Sequence, residues 1–143
     1  MNDQDGYLFS TQVPAGLSPS LLKALTRHST ANDSVAIVEL EPRLDGYLAT
    51  VREVAKINCF VNLKLAEAIY ERLQRIVAHR DSISSDRQAW CVGAICYFLA
   101  DDDEEPDFAS PVGFEDDAEV LNAVLRFVGK PDWCIRPEDF DNA

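Results

Sequence analysis

The sequence predicts a single all-α domain, a helical bundle, on three observations. Apolar residues recur at three- and four-residue steps through most of the chain, the spacing of a helix face. Helix punctuation stands at the edges of these runs, with Ser18-Pro19 before the first and Gly129 and Pro131 after the last. A length of 143 residues, 47% hydrophobic and 27% charged, suits one core, and neither an internal repeat nor a low-complexity linker divides it. Residues 1–143 are therefore expected to form one domain.

The first helix opens in "LSPSLLKALTRH", where Ser18 is placed to cap and Pro19 sits at the first helical position, which needs no N–H. "SVAIVEL" (Ser34–Leu40) is a short β-like run. Without a clear partner strand it reads as an extended connector or part of a bent helix. From Pro42 the period lengthens, and Leu44, Tyr47, Leu48, Val51 and Ala55 fall on one helical face. A longer helix is expected around Asn62–Arg80, with Leu65, Ile69, Leu73, Ile76 and Val77 inward and Glu71 paired with Arg75 outside. "DSISSDRQAW" breaks the pattern and restarts it. Ser84 or Ser85 can cap the next helix, which runs nearly all-apolar to Ala100 and is hydrophobic enough to be the central, buried one. "EDDAEVLNAVLRFVGKP" has acids in its first turn, a stripe of Val120, Leu121, Val124, Leu125 and Val128, and a Gly-Pro stop. In the tail, Trp133, Ile135 and Phe140 supply enough apolar surface to pack back on the body.

The net charge of −12 is local. Ten of the 25 acidic residues lie between Asp101 and Glu119 with no Lys or Arg among them, whereas residues 41–87 carry eight basic against seven acidic residues. Such a field repels nucleic acid and anionic lipid and attracts cations or basic surfaces. "MNDQDGYLFSTQ" lacks the basic region and apolar run of an export signal. "QAWCVGAICYFLA" (Gln88–Ala100) is far short of the roughly 20 apolar residues that span a bilayer. Four cysteines (Cys59, Cys91, Cys96, Cys134) then read as reduced, mostly buried thiols in a cytoplasmic protein with no membrane contact.

The acidic stretch also resembles a known family. Tyr97, Leu99, Asp103, "PDF" at Pro106–Phe108, Gly113, Phe114 and "DD" at Asp116–Asp117 look like the signature of the YkvA-like family, a bacterial domain of unknown function. The register holds without a gap over twenty-one positions, and the resemblance covers about residues 80–128, roughly a third of the chain. It implies a helix–acidic loop–helix hairpin, with no substrate and no catalytic residue attached. Where the family usually has Pro, Ile or Leu between its fixed acids, this chain has Asp101, Asp102, Glu104 and Glu105. Those added charges argue against the membrane association suspected of many members.

Clustered carboxylates suit hard cations such as Ca²⁺ or Mg²⁺. Counted from Asp101, however, Pro106 occupies the glycine position of an EF-hand loop and Val112 the position of its bidentate Glu. A looser metal set would be Asp103, Asp107, Asp116 and Asp117, the acids shared with the family pattern. The structural alternative has Asp103 and Asp107 bracing the loop while Asp116 and Asp117 favour the next helix's N-terminus. Cys91 and Cys96 are five apart and no Cys-x-x-Cys occurs, so soft-metal binding is not indicated. His28 and His79 each fall near an expected helix C-terminus, and no nucleophile or phosphate-loop motif is present. The leading expectation is a non-enzymatic binding or regulatory module with no cofactor, in which Asp101, Asp102, Glu104 and Glu105 contact a basic protein partner and nucleic acid is not bound. The alternatives are a divalent-cation protein and a hydrolase of unrecognised type.

Overall fold

A computed structural model describes residues 13–32, 34–100 and 114–140. Its α-helices there are α1 (Pro19–Ala31), α2 (Glu41–Ile57), α3 (Leu63–Ala78), α4 (Ser85–Leu99) and α5 (Glu115–Phe127). Short 3-10 turns at Ile37–Leu40, Arg80–Ser82, Pro131–Trp133 and Pro137–Phe140 join or follow them. No strand occurs among the described residues.

The expected all-α bundle forms because the apolar stripes find one another. In α3, Leu65, Ile69, Leu73, Ile76 and Val77 are all buried. In α5, Val120, Leu121, Val124 and Leu125 are buried in the same way. The helix between them in the chain, α4, is buried from Cys91 through Phe98 without interruption. A helix apolar on every side needs neighbours on every side, and α4 touches α1, α2 and α5. Each fully buried Leu or Ile of this core, such as Leu25, Leu65, Ile69 or Ile95, contributes roughly 1.5–3 kcal/mol.

The helix ends follow the local chemistry. The Ser18 hydroxyl accepts the Leu21 amide at 3.3 Å ahead of Pro19, and the Asn62 side chain accepts the Leu65 amide at 3.1 Å to start α3. Gly129 at φ +84° closes α5, so that the Lys130 amide donates to the Leu125 carbonyl at 2.8 Å. Glu71 and Arg75 pair at 2.6 Å on the outside of α3. Between α2 and α3, the Tyr70 hydroxyl donates to Asp45 at 2.6 Å and Arg52 pairs with Glu67 at 3.0 Å.

The β-like run resolves into two parts. Ala36 is extended, and Ile37–Leu40 then forms a 3-10 turn that runs directly into α2 at Glu41. Ile37 and Leu40, three apart, both turn into the core. At the other end, α4 and α5 touch each other and flank residues 101–113, which lie outside the described residues. No helix among the described residues is long and apolar enough to cross a membrane.

Candidate functional site

The foot of the acidic stretch is built from aromatic side chains. Phe98, one residue from the end of α4, is 1% exposed, and Phe114, just before α5, is fully buried. Their ring centroids are 6.0 Å apart, and Tyr47 of α2 meets Phe98 edge-on at 5.0 Å. On the α1 side, His28 meets Tyr97 edge-on at 5.9 Å. Both ends of the stretch are therefore anchored in the core.

Of the expected partner-contacting acids, Asp101, Asp102, Glu104 and Glu105 all lie outside the described residues, as do Asp103 and Asp107 of the expected metal set. The remaining two differ in environment. Asp116 is exposed, while Asp117 is 4% exposed in the first turn of α5. Phe114 offers α5 no side-chain cap, so Glu115, Asp116 and Asp117 supply the negative charge that the helix N-terminus favours. Among the described residues, no group of three or more His, Cys, Asp or Glu side chains is placed to hold a metal ion.

The thiols occupy three environments. Burial pushes the Cys91 thiol up to about 12. It also raises Cys96, against a partial opposing pull from Arg43. Both stay protonated at neutral pH and are poor nucleophiles. Cys134 is half-buried and Cys59 is exposed. The histidines serve as helix-end groups, with His79 Nδ1 2.9 Å from the Arg75 carbonyl oxygen at the end of α3.

A second place, which sequence reasoning does not reach, is a cavity of about 280 Å³ where the end of α1, the connector to α2, the Arg80–Ser82 turn and the start of α4 converge. Its apolar lining is Val35, Ala36, Ile37, Val38, Ala89 and Val92. The polar lining is Asn32, Arg80, Asp81, Ser85 and Gln88. The Gln88 amide donates to the Arg80 and Ile83 carbonyls, both at 2.8 Å, and so fixes the turn against α4. Arg80 donates through Nη1 to the Val77 carbonyl at 2.8 Å, and the Asn32 amide donates to the His28 carbonyl at 2.8 Å. Neither Arg80 nor Asp81 forms an ion pair among the described residues. The two walls come from parts of the chain some fifty residues apart. The only local sign in the sequence is the adjacent cation and anion at 80–81.

Compared with known proteins, the chain matches no family model, no curated protein and no solved structure.

Proposed function

We propose that this chain is a YkvA-like, non-enzymatic binding module of the cytoplasm that meets a basic protein partner through its acidic stretch. The observation that carries the reading is the concentration of ten acids and no base between Asp101 and Glu119. Three of those acids, Glu115, Asp116 and Glu119, are exposed on α5. Anchoring through Phe98 and Phe114 supports it, because a charged segment held at both ends loses less freedom on binding than a free tail. Asp101, Asp102, Glu104 and Glu105 are the contacting residues in this reading, and Asp103, Asp107, Asp116 and Asp117 shape the segment. The buried, protonated Cys91 and Cys96 thiols offer no activated nucleophile, which favours binding over thiol-based hydrolysis.

The test compares the natural chain with Asp101→Asn/Asp102→Asn/Glu104→Gln/Glu105→Gln as baits in low-salt lysate of the source organism. A basic protein retained by the first, lost by the second and released by raised salt is the expected outcome. The same proteins on both baits would reject it. Divalent-cation binding at the other four acids is the competing outcome, and it would show as a melting-temperature rise with Ca²⁺ or Mg²⁺ that survives the quadruple substitution.

A further inference from the structure

The cavity between α1 and α4 has hydrocarbon on both of its walls, and one wall also carries a cation and an anion adjacent in sequence. Arg80 keeps Nε and Nη2 outside its one hydrogen bond to Val77, and it is half-buried, so a charge-assisted contact there is partly shielded from water. Asp81 is exposed beside it. Among the described residues each lacks a charged partner, although the chain forms such pairs readily elsewhere, as at Arg52–Glu67 and Arg75–Glu71.

We propose that this cavity binds a small aliphatic α-amino acid. The ligand's carboxylate meets the Arg80 guanidinium, its ammonium meets Asp81, and its branched side chain lies against Val35, Ile37, Ala89 and Val92. Size limits the choice. A volume of about 280 Å³ is at the small end of ligand cavities and ample for an amino acid. Among the described residues no aromatic ring lines it, so hydrocarbon suits the apolar lining better than a stacking group. Charge favours a zwitterion over a simple carboxylate, because a chain of net charge −12 repels an anion at long range but not a neutral dipole.

A protein-detected NMR titration of the full chain tests this, using leucine, 4-methylpentanoate (no ammonium) and 3-methylbutylamine (no carboxylate). Leucine is expected to saturate with a Kd on the order of 1 mM, as suits a ligand of so few atoms. Resonances of Val35, Ala89 and Val92 should move, and each analogue should bind at least roughly tenfold more weakly, the loss of one charge-assisted contact. Arg80→Gln and Asp81→Asn should each weaken leucine by a similar factor, and Ala89→Leu should abolish binding by filling the cavity. Each variant's amide spectrum shows directly whether it is folded. Absence of shifts at roughly ten times that Kd in the natural chain would overturn the proposal. So would 4-methylpentanoate binding as tightly as leucine, or an unchanged affinity in Asp81→Asn.

Discussion

At position 93 a single hydrogen atom decides how closely two helices approach. A Cβ on Gly93 of α4 would fall 2.0 Å from the Ser29 hydroxyl and 3.1 Å from Leu25 Cδ1, both on α1. Real Cβ atoms do not tolerate the first distance, so the substitution forces the helices apart or rotates Ser29. Overpacking of this kind costs about 1–3 kcal/mol, of which replacing glycine in a helix returns up to about 1 kcal/mol. Gly93→Ala is therefore expected to unfold at lower urea concentration with an unchanged slope. Ser29 is 6% exposed and its hydroxyl has no hydrogen-bond partner among the described residues, so that side chain is the natural one to remove. Ser29→Gly/Gly93→Ala moves the gap from one helix to the other, and a double-mutant cycle should show the pair recovering part of the loss. Strict additivity of the two changes would mean that the contact is not what sets the spacing.

Elements packed onto the bundle depend on side chains that stand in for backbone. Asn122 of α5 donates to the Ile135 carbonyl at 2.7 Å and accepts the Ile135 amide at 2.8 Å, as a neighbouring strand would. Alongside, Trp133 meets His79 edge-on at 5.2 Å and lies near Lys130 and Arg75, at 5.2 and 5.7 Å from the ring. Arg72 donates to the Trp133 carbonyl at 2.9 Å. Burial works to raise the nearby Glu71 carboxyl, but the guanidinium hydrogen bonds of Arg72 and Arg75 outweigh it and hold it below the usual carboxylate range. Asn122→Ala leaves both Ile135 groups without that partner, and is expected to cost about 1–3 kcal/mol. Hydrogen exchange should quicken at the Ile135 amide while the middle of α4 stays protected, and uniform quickening would show that the tail is not a separate unit. The sequence made the tail's apolar anchors visible in Trp133, Ile135 and Phe140, but not the clamp, because an asparagine on a helix face has no periodic signature. The same division holds elsewhere. Caps at Ser18 and Gly129 and the stripes of α3 and α5 follow from residue type and spacing, which are local. The turn at Ile37–Leu40 does not, since three apolar residues around Glu39 fit a strand or a tight helix equally until a neighbour decides. The cavity is invisible for the same reason, its walls meeting only in three dimensions. Asp116 and Asp117, adjacent and chemically alike, could be read only as a pair, yet one is exposed and the other buried.

Across the whole molecule, charge is distributed in two regimes. On the α2–α3 side it is largely matched, through Arg52–Glu67, Lys56–Glu53 and the Glu71 pairs with Arg72 and Arg75. From Asp101 to Glu119 the sequence itself supplies ten acids and no base. Exposed matched pairs contribute about 0.2–1 kcal/mol each and lose part of that in salt. Unmatched like charges do the reverse, because screening relieves their repulsion in the compact state. The net effect of −12 should be a chain that melts higher as salt rises. Going from about 0.01 to about 0.1 M salt shortens the screening length from about 30 to about 10 Å, which is enough to uncouple acids several residues apart. A rise of about 2–4 °C is expected at neutral pH, equivalent to roughly 1 kcal/mol for a chain of this size. Neutralising Asp101, Asp102, Glu104 and Glu105 takes the net charge from −12 to −8 and removes four of the ten crowded acids. That variant should melt higher than the natural chain at low salt, and its own rise with salt should be clearly smaller. Equal rises in the two proteins, measured by circular dichroism at fixed protein concentration, would mean that the crowded acids do not strain the fold. A larger rise in the natural chain would mean that its acidic stretch is kept at a cost in stability, and a basic partner bound there would remove that cost.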